Sequence, residues 1–451
     1  MSDYPRNGKF ERESRTTHSY IIRDEEVQAY LNNCTIPASA KNVELNGALK
    51  YTVDRPKDNS IRFIIAVDGE STTLPVNEGF PSSLLTFFQF GTLVIDIDDL
   101  EDMEKKPFVS PEDIKRLKEI KREKLVLPIK NISLQNGVDF RTVVRTAIQD
   151  FFRKDHAWNT PMLETLYWFL FETYNPKATR ILHILSRCPH CGTPDIPLER
   201  DKMSRPEFSW ECTHYLCKKE IFLTDAFKLF EQIDNETGAE TIVGLLRNAV
   251  ETFLILHTIR QLIELEDGLV SKFLFVKDGP LSFSRETAPM HRPMLNLLNY
   301  LGKTKNRINL VGVESGGPFI EHAKQIRDKI QPGEVFLLSN DHIYRHILVG
   351  NSRTQRYGET TYYGGKLIYK SLDKRIYVLS MLVDNPNTYY DKPELMDFSN
   401  VQEILFSVAK LRCDIYENAL IPIAVLNKMI SLSTQAGTRI LEKFAKKTVK
   451  K

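Results

Sequence analysis

Two apolar stretches decide the fold class: Ile61-Arg62-Phe63-Ile64-Ile65-Ala66-Val67 before Asp68-Gly69, and Lys272-Phe273-Leu274-Phe275-Val276-Lys277 before Asp278-Gly279. Their β-branched and aromatic residues predict buried strands, and the Asp-Gly pairs predict the turns that end them. Further strands are expected at residues 87–97, 308–313, 335–338, 367–369 and 376–382. Helical spacing predicts helices at residues 101–124, 140–152, 162–171, 241–265, 319–330 and 400–417. This mixture indicates an α/β protein.

The composition excludes several classes of protein. The 451 residues are 42% hydrophobic and carry a formal net charge of +2, so neither wholesale disorder nor a global basic excess is present. Apolar runs such as Leu166–Phe171 are far shorter than the ~18–20 residues of a membrane span. The first residues are polar, without the apolar core of a secretory signal. A cytoplasmic protein is expected.

Four of the six cysteines form two close pairs, Cys188 with Cys191 and Cys212 with Cys217. Two such pairs are typical of a structural zinc ribbon, in which four thiolates surround the ion. His214 is an alternative ligand to either member of the wider second pair. Inert thiols or a disulfide are the other interpretations, which a reducing compartment disfavours. The predicted division is an arm at 1–60, a core at 61–185 and 223–451, and a zinc-ribbon insertion at 186–222.

Asp68 and Asp278 are the first candidates for a catalytic metal site. Either alone is more simply a turn residue. Two acids at strand ends together with one on a helix, however, would form a site for two Mg²⁺ or Mn²⁺ ions that hydrolyse phosphodiesters. Glu251, in the apolar helix at 241–265, is the third candidate, and its alternative role is an ion pair with Arg247 one turn earlier. Glu264 and Glu266 lie nearer the solvated end of that helix and are weaker candidates.

Val67-Asp68-Gly69-Glu70 and Phe275–Leu281 are two Asp-Gly motifs that follow each other along the chain. They are similar to the first and second Asp-Gly motifs of the NurA nucleases, in their bacterial form. The Leu-Thr-Asp segment at 223–225 with the Glu251 helix, and the segments 312–323 and 357–364, continue the likeness. The resemblance covers about residues 60–440, apart from the cysteine segment, and it lies in the order of the motifs.

The resemblance implies an RNase H-like core, a homodimer and Mn²⁺-dependent degradation of DNA in the 5′-to-3′ direction. It also implies a HerA-type hexameric translocase ATPase as partner, in DNA end processing or antiphage defence. Asp68, Glu251 and Asp278 would be the catalytic, metal-binding acids. The chain departs from the family at Ser315, where a lysine is common, and at Asn427, where a histidine is usual. Asn427 remains a possible additional active-site residue, because an amide oxygen can bind a hard metal.

The residues around 353–366 are candidates for DNA binding. Arg353, Arg356, Tyr357 and Lys366 interleave cations with an aromatic ring, as a single-strand groove does, although a surface hairpin is as good an interpretation. His342 and His346 are expected in a solvated loop. Because no GxxxxGK[ST] loop or GxSxG elbow occurs, ATP hydrolysis and esterase chemistry are not expected. The alternative to a nuclease is a non-catalytic DNA-binding or assembly subunit.

Overall fold

The computed structural model describes residues 21–22, 24–40, 43–77, 79–80, 82–99, 121–133, 137–156, 159–384, 389–413, 419–432 and 435–448. Its strands are β1 (Lys50–Thr52), β2 (Phe63–Pro75), β3 (Leu84–Asp96), β4 (Lys121–Lys130), β5 (Leu182–Arg187), β6 (Pro194–Glu199), β7 (Ser209–Glu211), β8 (Glu220–Phe222), β9 (Phe273–Asp278), β10 (Asn309–Glu314), β11 (Glu334–Leu337), β12 (Gly364–Lys370) and β13 (Ile376–Leu382). Nine of these form one mixed sheet in the order β1-β11-β12-β13-β10-β9-β2-β3-β4.

The centre of the sheet has the strand order of an RNase H-like core. Strands β4, β3 and β2 are antiparallel neighbours, and β9 and β10 continue the sheet parallel to β2. Beyond β10, the remaining strands add antiparallel neighbours. The predicted α/β class and the RNase H-like arrangement are therefore confirmed.

Helices cover both faces of this sheet. They are α1 (Glu25–Asn33), α2 (Phe140–Arg153), α3 (Met162–Leu170), α4 (Val243–Leu265), α5 (His291–Leu301), α6 (Pro318–Ile326), α7 (Asn340–His346), α8 (Val401–Lys410), α9 (Ile421–Ile430) and α10 (Gln435–Thr448). Helices α2 to α5 share one core with alternate residues of β2 and β9, such as Val67 and Phe275. Helices α6 to α9 share a second core with the intervening residues, such as Ala66 and Val276. Burial on both faces explains why these strands read as continuous apolar runs.

The prediction that β2 ends at Asp68-Gly69 is wrong. The strand continues to Pro75, and Asp68 pairs with Gly91 and Gly69 with Phe90 of β3. A long antiparallel partner supplies ladder bonds to this Asp-Gly pair, so it stays extended. The second Asp-Gly pair ends its strand as predicted, since β9 ends at Asp278 and Gly279 has a positive φ of 82°.

The predicted helix at 101–124 lies mostly outside the described residues. Its last four positions are wrong, because residues 121–124 begin β4, which pairs with β3. The segment around α4 is long and apolar enough to span a membrane. In its most apolar window, however, 78% is buried inside the protein, so it packs as a core helix against the sheet.

Gly312 in β10 provides a test of this packing. A Cβ at this position would lie 2.4 Å from the main-chain oxygen of Gly279. We expect Gly312→Ala to lower the free energy of unfolding by about 1–3 kcal/mol, because the sheet must shift to admit the methyl group. The measurement is the midpoint of urea-induced unfolding. Gly244→Ala in α4 is the control, since a Cβ there meets no atom within 4 Å. Equal midpoints for the two variants would contradict the packing described.

Candidate functional site

Asp68 and Asp278 lie side by side on neighbouring strands. The parallel register of β2 and β9 pairs Ala66 with Val276 and Val67 with Lys277, so the next position brings the two aspartates together. Adjacent strands are ~4.8 Å apart, and paired positions face the same side of a sheet. The structure therefore brings together two acids that are 210 residues apart in the sequence.

One oxygen of Asp68 has no partner. The residue is 2% exposed, and its Oδ1 accepts a 2.8 Å hydrogen bond from the Gly69 amide. Its Oδ2 is buried with no hydrogen-bond partner among the described residues. Burial, together with the charges of Asp278 and Glu251, raises the pKa of Asp68 from 3.8 to about 8. A buried oxygen without a donor, beside a second carboxylate, is a position that suits a hard cation.

Glu251 reaches the sheet from α4, on the opposite face from the two aspartates. Its Oε2 lies 2.9 Å from Lys277 Nζ and its Oε1 lies 3.8 Å from Arg247 Nε. Gly69 lies beneath this contact, and a Cβ there would lie 2.6 Å from the Phe90 ring and 3.1 Å from Glu251 Oε1. Burial raises the pKa of Glu251, while Lys277 and Arg247 oppose the shift. Glu251 is thus paired with two cations, Lys277 and Arg247. The ion pair with Arg247 is the alternative role expected from the sequence.

Two cations, Lys277 and Arg247, complete the acid cluster, and neither is among the site residues predicted from the sequence. Lys277 is 1% exposed and donates a 2.9 Å hydrogen bond to the main-chain oxygen of Asp278. Burial raises the pKa of Asp278, and the charges of Lys277 and Arg247 lower it. The Arg247 side chain is 44% exposed, so it can also reach an anion in solvent. A lysine inside an otherwise apolar strand, directly before an acid, is the signal that could have identified Lys277.

Asn427 lies on the side of the sheet that carries the two aspartates. It is exposed on α9, next to the buried Leu426. Leu426 packs over Gly91, the β3 residue that pairs with Asp68. The main chain just beyond α9 is fixed to β2, since the Leu432 amide donates to Glu70 Oε2 at 2.7 Å. Ser315 is exposed after β10, and Glu264 pairs with Arg260 far along α4.

Two of the four DNA-binding candidates are buried. Lys366 is 1% exposed and forms an ion pair with Glu314, and burial lowers its pKa to about 7. Tyr357 packs its ring against Tyr362 and Tyr390. Neither side chain presents its polar group to a nucleic acid, so the predicted role fits neither position. The periodicity of a short polar stretch does not reveal this burial.

The two arginines of this set are on the surface. Arg353 is exposed, and Arg356 forms exposed ion pairs with Glu359 and Asp391. Phosphate contacts in this region therefore remain a prediction for Arg353 and Arg356 alone.

The expectation of a solvated loop at His342 is wrong, because helix α7 buries this residue against α6. His342 Nε2 and His322 Nε2 lie 2.8 Å apart. Burial lowers the pKa of His322 to about 4 and that of His342 to about 3. Both rings are therefore neutral near pH 7, and the N–H of one donates a hydrogen bond to the ring nitrogen of the other. His346, in the last turn of α7, is half-buried beside them.

The four clustered cysteines meet at the tips of two hairpins. Cys188 and Cys191 lie between β5 and β6, and Cys212 and Cys217 lie between β7 and β8. All four sulfurs lie within 4.8 Å of one another, with Cys188–Cys217 and Cys191–Cys212 separations of 3.9 and 3.8 Å. Tetrahedral zinc with ~2.3 Å bonds requires sulfurs ~3.8 Å apart. The cluster can hold a metal ion such as zinc without His214, and four protein ligands leave no open position for catalysis.

A buried arginine connects this cysteine module to the body of the protein. Arg145 of α2 donates to both carboxylate oxygens of Asp225, at 2.8 and 2.6 Å. It also donates to His190 Nε2, between Cys188 and Cys191, and to the main-chain oxygen of Glu220. Bidentate pairing in a buried site fixes orientation as well as position. The module is therefore joined rigidly to α2 and shares its core.

Comparison with known proteins gives only distant similarities. No family model matches the chain, and no curated protein sequence matches it. The chain is similar to the crystal structure of the NurA nuclease from Sulfolobus solfataricus, with 8% identity, 97% of this chain and 94% of that chain covered, and a TM-score of 0.31. It is also similar to a second NurA crystal structure, with 10% identity, 100% and 99% coverage, and a TM-score of 0.32.

The cysteine cluster predicts a specific loss of metal. We expect Cys212→Ser to lower the zinc content well below one ion per chain and to lower the unfolding temperature, because a structural zinc site contributes directly to folding. Atomic absorption and thermal unfolding measure the two effects. Cys34→Ser is the control, since Cys34 is exposed and outside the cluster. Full zinc content in Cys212→Ser would contradict the assignment.

Asp68 predicts an unusual dependence of stability on pH. The pKa of Asp68 is about 8 in the folded protein and 3.8 is its ordinary value. The folded state therefore binds the proton more tightly, and its stability falls as pH rises from about 4 to about 8. Without added divalent metal, Asp68→Asn should raise the free energy of unfolding at pH 7.5 by on the order of 2 kcal/mol, since one pKa unit corresponds to about 1.4 kcal/mol.

Urea unfolding at pH 4.5 and pH 7.5 measures this effect, with Asp99→Asn, an exposed acid beyond β3, as the control. The gain in Asp68→Asn should shrink at the lower pH. A variant that is less stable than the wild type at pH 7.5 would contradict the buried, partnerless carboxylate.

Proposed function

We propose that this protein is a divalent-metal-dependent nuclease that hydrolyses DNA phosphodiesters at the Asp68–Asp278 site. The observation that carries the proposal is the buried Asp68 oxygen without a donor, beside a second carboxylate on the neighbouring parallel strand. A structural acid pair would be expected to bind hydrogen-bond donors through all its oxygens. An acid pair with an oxygen that lacks a partner, at the centre of an RNase H-like sheet, is better suited to binding a metal ion.

The residues of the site divide the work. Asp68 and Asp278 would hold Mn²⁺ or Mg²⁺, and the bound ion would supply Lewis-acid chemistry at the phosphodiester. Arg247 lies beside the acids and is partly exposed, so its guanidinium can bind the phosphate that is cut. Glu251 and Lys277 fix the geometry below them. Asn427, exposed on the helix that covers the face of the two aspartates, is proposed as an additional polar contact to the DNA backbone.

The wider assignment follows the sequence resemblance to the NurA nucleases. In this proposal the protein acts in the cytoplasm as a homodimer. A HerA-type hexameric ATPase delivers DNA ends or single strands to it, and the protein degrades them in the 5′-to-3′ direction. The pathway is DNA end processing or antiphage defence. The chain has no ATP-binding loop of its own, so a separate motor is consistent with its sequence. Exposed Arg353 and Arg356 are available for backbone contacts.

The second candidate is a non-catalytic DNA-binding or assembly subunit of such a complex. It is favoured by Ser315 and Asn427, which stand where the family commonly has a lysine and a histidine. Asn427 cannot relay a proton as an imidazole does. The two candidates differ in whether the metal site cuts DNA once metal is bound.

The nuclease is tested with end-labelled single- and double-stranded DNA and zinc-loaded protein, with and without added Mn²⁺ or Mg²⁺. We expect cleavage that needs the added ion and falls at least ~100-fold in Asp68→Asn and Asp278→Asn, because each carboxylate holds charge that stabilises the transition state. Asp99→Asn should cut at the wild-type rate. Equal cleavage by Asp68→Asn would reject the site. Metal binding without cleavage, also in the presence of the ATPase, would favour the non-catalytic subunit.

A further inference from the structure

We infer that Lys277 is a fixed cation that takes the place of a second metal ion, so that the acid site binds one divalent ion per chain. The inference rests on the proposed nuclease site and deepens it. It assigns Asp68 and Asp278 as the metal ligands, and it assigns Glu251 as the residue that holds Lys277. This differs from the two-metal site that the three acids suggested in the sequence.

The contacts of Lys277 carry the first step. Its ammonium group lies 2.9 Å from Glu251 Oε2 and 2.9 Å from the main-chain oxygen of Asp278. The side chain is almost completely buried. A buried ammonium is stable only when it is paired and hydrogen-bonded, and these two oxygens supply both requirements. A metal ion bound to Glu251 would have to displace the Lys277 ammonium group. The displaced ammonium would then be a buried cation without partners.

The contacts of Glu251 also disfavour a metal ion at this residue. Lys277 neutralises one of its oxygens, and the Arg247 guanidinium lies beside the other. A divalent ion at Glu251 would stand within a few ångströms of two positive charges, where like-charge repulsion is strong. Asp68, in contrast, has an oxygen that is buried without a donor. The open metal position is therefore at the two aspartates.

The charges of the site favour one ion. With metal bound and all three acids deprotonated, Asp68, Asp278 and Glu251 supply three negative charges, and Lys277 and Arg247 supply two positive ones. One divalent ion leaves a single positive charge, which one DNA phosphate neutralises. A second divalent ion would leave an excess of two positive charges after the phosphate binds, in a site that is largely buried.

Mn²⁺ titration of zinc-loaded protein, followed by calorimetry and by the electron paramagnetic resonance of free Mn²⁺, counts the ions. We expect one ion per chain in the wild type. Asp68→Asn should lose it, whereas Glu251→Gln should still bind one. Glu264→Gln is the matched control, because Arg260–Glu264 repeats the spacing of Arg247–Glu251 on the same helix at an exposed position.

Replacement of the lysine gives the sharper result. Lys277→Met leaves Glu251 without its buried partner, so we expect this variant to bind a second Mn²⁺. The double variant Lys277→Met/Glu251→Gln has no unpaired charge at this position, and it should return to one ion. Lys272→Met, at a half-exposed lysine before the same strand, should bind one ion like the wild type. The double variant removes both charges and leaves no buried charge unpaired. Its number of bound Mn²⁺ ions therefore tests the inference even if Lys277→Met folds poorly.

Two bound ions in the wild type, one of them lost in Glu251→Gln, would overturn the inference and leave the nuclease standing. A single ion without any DNA cleavage would support the fixed cation and reject the nuclease. If the wild type binds no Mn²⁺, both are rejected.

Discussion

Two carboxylates, held side by side in the interior by neighbouring parallel strands, are the constraint on which the rest of the site depends. The register of β2 and β9 fixes Asp68 beside Asp278, and burial makes their mutual repulsion costly. Arg247 and Lys277 reduce that cost without contacting the free Asp68 oxygen. The sheet thus imposes a local arrangement that a divalent cation would relieve, which links the topology directly to the proposed chemistry.

The other parts of the fold keep this arrangement rigid. Helix α4 supplies Glu251 and Arg247 from one face, and α9 covers the other face over Gly91. The cysteine module contributes no residue to the acid site. It shares the core of α2 to α4, however, and Arg145 joins it to α2. A metal in that module would stabilise the layer that carries Glu251. A metal at the cysteines would then have a structural role, separate from the catalytic role proposed for a metal at the aspartates.

Much of this was predictable from the sequence where local pattern and tertiary structure agree. The apolar runs gave the central strands, Asp278 falls at a strand end, and the cysteine spacing gave the cluster. The position of Asp68 within its strand was missed, because an Asp-Gly pair is a turn signal. Here the glycine instead leaves space for the Phe90 ring and the Glu251 carboxylate, which pack over it. Burial of Lys366 and Tyr357, and the bridge made by Lys277, depend on strands distant in sequence, which spacing does not encode.

The central claim is that a divalent ion binds between Asp68 and Asp278. The most direct measurement is anomalous diffraction from crystals of the zinc-loaded protein soaked in Mn²⁺, recorded near the manganese absorption edge. We predict a manganese peak within bonding distance of carboxylate oxygens from both residues, with Lys277 still paired to Glu251. A peak at Glu251 with Lys277 displaced, or an acid cluster that stays empty while Mn²⁺ binds elsewhere, would contradict it.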